Sequence, residues 1–238
     1  MKHRLQSLSS VLEQNLNMYA LAAGAAGVGI LALGQSSEAK IVYTHANTQI
    51  NVDGGMVPLD LNHDGIVDFN FDDVFSVQRA GRAQSDAYSF SYFTVAPAQS
   101  PNLVYAVQSN NRWCAAAVPK GVKVGPHSPF EPDASVMAFA SNGGAASCPW
   151  RPVMQAYLGL KFSIKGKTHY GWARVKRVNS KYGTGFPAII TGYAYETISN
   201  RQIVTGKTKG ADVVTVQPGG LGHLAAGAAA WRKAGGER

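Results

Sequence analysis

Tyr157 to Ile164 reads YLGLKFSI, and after Lys165-Gly166-Lys167 the chain continues from His169 to Val178 as HYGWARVKRV. In the first run Leu158, Leu160, Phe162 and Ile164 alternate with Gly159, Lys161 and Ser163. A period of two predicts a half-buried strand. The Lys-Gly-Lys segment turns the chain, and the second run returns as the other arm of a hairpin. Ala188 to Ile198 (AIITGYAYETI) is expected to extend the same sheet. Working outward, the β-branched and aromatic runs at Lys40–Thr44, Thr48–Val52, Met56–Leu59, Phe69–Val74, Tyr88–Ala96, Leu103–Gln108 and Ser135–Ala140 read as further strands. Gly, Pro and Asn punctuate them, and helix signals are nearly missing beyond residue 40. The expectation is an all-β fold, an antiparallel β-sandwich or jelly roll, rather than α/β. No internal repeat is present, which argues against a propeller or solenoid.

Composition narrows the class. The chain has 238 residues, 45% of them hydrophobic and only 15% charged, against about 25% charged in an average soluble protein. That excludes a charge-rich disordered chain. The first forty residues read as an address. Lys2, His3 and Arg4 give a basic start, and Tyr19 to Leu33 (YALAAGAAGVGILAL) carries no charge. Such a run is short for a spanning helix, which wants about 20 residues, and suits a signal-peptide core of about 7–15. Ser37 and Ala39 place small residues at −3 and −1 of a cut. The expected organisation is an N-terminal helical signal segment at 1–39, a β-sandwich domain at 40–215 and a C-terminal tail at 216–238. An uncleaved anchor helix or a buried helix is the alternative for the first segment.

Export changes the reading of Cys114 and Cys148, the two cysteines of the chain. Outside the cytosol a lone pair is expected to be bridged, the alternative being two separate buried or surface thiols. No Cys/His group has the spacing of a zinc site.

One constellation carries chemistry. Asp60-Leu-Asn62-His-Asp64-Gly65-Ile66-Val-Asp68 fits D-x-N-x-D-G-x-x-D. A hard cation such as Ca²⁺ takes six to eight oxygens at about 2.3–2.6 Å, and a tight loop can turn alternate side chains toward one centre. Asp60, Asn62, Asp64 and Asp68 supply side-chain oxygens, Ile66 its carbonyl, and Gly65 the sharp bend. The competing reading is a solvated Asn/Asp turn, against which stands the repulsion of three carboxylates within nine residues. An EF-hand asks for Glu at position twelve, where this chain has Phe71. The flanks MVPLD and VDFNF are strand-like, so helix–loop–helix is not expected. The loop resembles the calcium hairpins of FG-GAP-type repeats, which set this formula between strands; the resemblance implies a structural Ca²⁺.

Charge and the remaining motifs bound the partners. The net charge is +8. Half of the acids beyond residue 39 fall between Asp53 and Asp73, while Lys161 to Lys181 holds seven Lys/Arg and no acid. A solvated sheet face or a partner polyanion would each suit that stripe. Extracellular polysaccharide or another envelope polyanion is the expected partner, nucleic acid is not, and membrane contact is expected only through the N-terminal segment before cleavage. Trp113, Trp150 and Trp172 could serve as sugar-stacking platforms or as core; a carbohydrate-binding module predicts a row of exposed aromatics on one sheet face. Glu131-Pro-Asp133 resembles the E-x-D start of laminarinase-type glycosidases, whose third acid would fall at Val136. No G-x-S-x-G nucleophile turn is present, so no catalytic residue is assigned and a non-enzymatic role is expected.

Finally, Val216-Gln-Pro218-Gly-Gly, then LGHLAAGAAAW, then Arg232-Lys233, resembles a degenerate PEP-CTERM sorting signal. The segments KIVYT, DLNHDG, YLGLKF, HYGWARV and GYAYET are similar to those of uncharacterised exported bacterial proteins of that group. The resemblance implies a secreted, cell-envelope or extracellular location.

Overall fold

The computed structural model describes residues 40–79, 87–132, 135–142, 146–180 and 184–216. The expected signal segment (1–39) and all of the expected tail after Val216 lie outside the described residues. Within them the chain is all-β. The strands are β1 (Ile41–Ile50), β2 (Val57–Leu59), β3 (Phe69–Arg79), β4 (Ala87–Pro97) and β5 (Leu103–Ser109). There follow β6 (Arg112–Ala115), β7 (Lys123–Val124), β8 (Phe130–Glu131), β9 (Val136–Ser141) and β10 (Ala146–Ser147). The last are β11 (Gln155–Ile164), β12 (Lys167–Arg177), β13 (Ala188–Glu196), β14 (Ile203–Val204) and β15 (Val213–Val216). Among the described residues no helix is long and apolar enough to cross a membrane.

The larger sheet runs β15-β1-β13-β12-β11-β5-β6, with β8 also paired to β5. The smaller runs β10-β9-β4-β3-β2, and β7 and β14 form a separate ribbon. Pairings between these strands are antiparallel except that β15 lies parallel to β1. The hairpin at the centre of the larger sheet follows from its turn. Lys165 and Gly166 both have positive φ (49° and 76°), a type I′ geometry whose twist matches the strands it joins. Asn110 and Asn111 (50° and 57°) do the same between β5 and β6. The runs Lys40–Thr44 and Thr48–Val52, expected as two strands, are largely one: β1 continues through a register shift between His45 and Thr48.

One hydrophobic core lies between the sheets. Phe69, Phe71, Phe93 and Val95 of the smaller sheet meet Leu158, Leu160, Phe162, Val175 and Ile190 of the larger. A second cluster sits on the opposite face of the larger sheet, where Tyr43, Tyr157, Tyr170 and Trp172 pack against Val124 and Ile203 of the small ribbon. This corrects the half-buried reading of β11. Gly159, on the face that a half-buried strand leaves open, is buried like Leu158 and Leu160, as is Tyr157, because the ribbon and its flanking loops cover that face. Gly159 makes the approach possible: a Cβ there would lie 2.9 Å from Tyr105 Cβ and 3.2 Å from Val124 Cγ2.

Cys114 and Cys148 form a disulfide, with Cα atoms 5.5 Å apart. Cys114 belongs to β6 of the larger sheet and Cys148 follows β10 of the smaller, so the bridge ties one sheet to the other.

Candidate metal centre

The nine residues from Asp60 to Asp68 connect β2 to β3, whose first pair is Leu59 with Phe69. The Asp68 N–H donates to the Leu59 carbonyl at 2.9 Å and closes the loop at its base. Strand–loop–strand is therefore the setting, as the flanking sequence implied. Gly65 has φ +86° with open space around it, and His63 also sits at positive φ (60°), a region where His and Asn are tolerated better than most residues.

The predicted ligands organise the loop among themselves. Asp60 accepts the amides of His63 (2.7 Å) and Gly65 (2.9 Å), one on each oxygen. Asp64 accepts the Ile66 N–H at 2.9 Å and the Asn62 side-chain amide at 2.8 Å. Asp68 is buried; its Oδ2 accepts the Leu61 N–H at 2.8 Å and its Oδ1 the Asn102 amide at 3.4 Å. Every carboxylate oxygen thus holds one donor, and each retains a second lone pair. Asn62 Oδ1 differs. It is buried and has no hydrogen-bond partner, a situation that costs about 1–3 kcal/mol for an acceptor removed from water. Ile66 is exposed.

The electrostatics agree with crowding. Burial pushes the Asp68 carboxyl up to about 6; the Asp60 and Asp64 carboxylates push the same way, against the Leu61 amide and Asn102. The same two carboxylates reinforce the upward push that burial gives Tyr195. Among the described residues no group of three or more His, Cys, Asp or Glu side chains is drawn together closely enough to hold an ion by itself. The donor set read from the sequence includes an amide and a backbone carbonyl, which calcium accepts as readily as carboxylates, and these stand outside such a group.

No family model, curated protein or solved structure matches the chain.

Three residues that fasten the loop were not foreseen. Leu61 is fully buried, against Gly171 of β12. His63 Nε2 lies 3.0 Å from Thr44 Oγ1 and 3.4 Å from the Tyr193 hydroxyl, on β1 and β13. Asn102 holds Asp68 through both its carboxylate and its carbonyl, and accepts the Ser163 N–H of β11 at 3.1 Å. The loop leaves the smaller sheet, docks on three strands of the larger and returns.

The other sequence candidates fall elsewhere. Trp150 and Trp172 are fully buried, and Trp113 is half-buried. Glu131 is half-buried on β8, opposite Val104, Val136 begins β9, and Asp133 lies outside the described residues. The basic stripe is divided. Arg174 bonds Thr191, and Arg177 reaches the carbonyls of Trp150 and Arg151 and lies 4.9 Å over the Phe186 ring, while Lys176 stays exposed.

Proposed function

We propose that the chain is an exported, non-enzymatic component of the cell surface or extracellular space, a β-sandwich whose Asp60–Asp68 loop takes one structural Ca²⁺. The observation that carries the calcium reading is the buried, unpartnered Asn62 Oδ1, in the same loop as Asp68, whose ionisation is made costlier by burial and by the Asp60 and Asp64 carboxylates. A cation would satisfy the acceptor and relieve the repulsion together. Asp60, Asn62, Asp64 and Asp68 would ligate through side chains and Ile66 through its carbonyl. The disulfide supports a location outside the cytosol, and the core common to both sheets supports the sandwich. The ion's role is stability, since the unfolded chain lacks the site and ligation of the native state adds to folding free energy.

Thermal melting with calcium and with chelator tests this. At calcium about a hundredfold above its dissociation constant the gain is about 2.7 kcal/mol, or roughly 5–10 °C in Tm for a chain of this size. Asp64→Ala should abolish the shift. An unmutated protein that melts identically in calcium and chelator would reduce the loop to an Asn/Asp turn.

A further inference from the structure

The outer face of the smaller sheet is apolar at its centre and carries opposite charges on two flanks. Along β4 the burial alternates: Ser91, Phe93 and Val95 are buried, while Tyr88 is 43% exposed and Phe90, Tyr92 and Thr94 are partly exposed. Paired residues across an antiparallel sheet share a face. Phe139 and Val74, opposite Tyr92 on β9 and β3, therefore lie on this surface with Tyr88 and Phe90, and both are partly exposed. Ser76 and Ser141 opposite Phe90, and Gln78 opposite Tyr88, give the strip a polar margin. Two charges bracket it. The exposed Arg112 guanidinium stands 5.8 Å over the Phe139 ring on the β9 flank. Asp72, half-buried and opposite Thr94, occupies the β3 flank. Among the described residues neither enters an ion pair.

We infer that this face is the contact between two copies of the chain, joined about a two-fold axis that runs along β4 in the plane of contact. A closed two-fold contact requires a surface complementary to itself. Such an axis lays each flank of one copy over the opposite flank of the other. Arg112 of each copy then faces Asp72 of the second, and two ion pairs close around the rings. Asp72 lies level with Thr94 and Arg112 near the level of Tyr92, an offset of about 7 Å along the strand, which the long arginine side chain spans. The rings favour a protein surface as occupant. Successive members of the series Tyr88, Phe90, Tyr92, Phe139 meet at 43°, 74° and 37°. They present edges beside faces, which suits tilted and edge-on contacts with a second such set. An aromatic centre inside a polar rim is the usual composition of such contacts. Charge selects a copy of the same chain. The protein carries +8 overall, yet Arg112 and Asp72 balance on this face, so two like-charged copies can approach here. From Tyr88 to Thr94 the strip covers about 20 Å of strand, across three strands about 4.8 Å apart, which puts the contact at the small, transient end of specific interfaces. It is independent of the calcium loop and goes beyond the role proposed above.

Sedimentation velocity of the full chain in calcium-containing buffer tests this. Over a range of about 1 to 500 µM the protein should pass from monomer to dimer, with a dissociation constant on the order of 10–100 µM for a contact of this size. Asp72→Arg alone sets arginine against arginine, and Arg112→Asp alone sets aspartate against aspartate. Each should weaken self-association at least about tenfold. An equimolar mixture of the two variants restores opposite charges at both contacts and should associate as tightly as the unmutated protein, which also shows that both variants are folded. Tyr88→Ala should weaken the dimer about fivefold, and Tyr88 is exposed enough that its loss leaves the core intact. A chain that stays monomeric at the highest concentration would overturn the inference and leave the face to a partner of different sequence. Self-association that both charge reversals leave intact would also overturn it and place the contact elsewhere. So would a mixture of the two variants that stays as monomeric as its components.

Discussion

Both carboxylate oxygens of Asp73 face one amide, the Phe186 N–H, at 2.9 and 2.8 Å, and the residue has no exposed surface. Burial pushes its pKa up to about 6, with Asp53 and Asp72 adding to the push and the Phe186 amide and Arg177 opposing it. A carboxyl whose pKa is higher in the folded than in the unfolded state stabilises the fold most while it is protonated. Its contribution is complete below the ordinary carboxylate range near 4, is lost as pH rises from there through about 6, and is level above. Asp73→Asn cannot titrate. The Tm of the variant minus that of the unmutated protein should therefore climb between pH 4 and pH 7, by the equivalent of about 1–2 kcal/mol once solvent screening is allowed for. Asp68 titrates in the same window in both proteins and cancels from the difference. Parallel melting curves across that range would show that Asp73 keeps an ordinary pKa.

Among the strands, β11 shows what a sequence pattern can and cannot convey. Its alternation marks one buried face, and the type I′ turn at Lys165-Gly166 sets its register with β12, Ile164 opposite Lys167. The longer strands were legible for that reason, since each carries enough alternating residues to define a face. The two-residue strands β7, β8, β10 and β14 were not, because a period cannot be read from so few positions and contacts distant in the chain decide them. The covering of the outer face by the ribbon was hidden too; Gly159 reads as a weak strand residue until Tyr105 and Val124 are seen against it. The calcium formula was legible as spacing, while its anchors Leu61 and Asn102 were not, because an ordinary leucine and asparagine acquire those roles only when β11 and β12 come alongside. Gly159→Ala tests the close approach. The added methyl would sit 2.9 Å from Tyr105 Cβ, so overpacking should cost about 1–3 kcal/mol, seen as a lower denaturant midpoint. A midpoint unchanged from that of the unmutated protein would mean the ribbon can yield without loss.

Two devices join the sheets of the whole molecule, and they act on different states. The Asp60–Asp68 loop is a native-state clamp, formed by side chains that meet only after β1, β11, β12 and β13 are assembled. The Cys114–Cys148 bridge, separated by 34 residues in sequence, acts chiefly on the unfolded chain by removing its loop-closure entropy, worth about 3.5–4 kcal/mol for a loop of this length. The two are therefore separable by experiment. Replacing both cysteines by serine should lower Tm by about 7–15 °C while leaving the near-ultraviolet spectrum and the calcium-induced rise in Tm unchanged. If the calcium response disappears with the bridge, the disulfide is shaping the native loop and the entropic account fails. If Tm barely moves, the sheets are held by their common core, with Phe69, Phe71 and Phe93 packed on Leu158, Leu160 and Phe162, and the unfolded chain is compact enough that cross-linking it adds little.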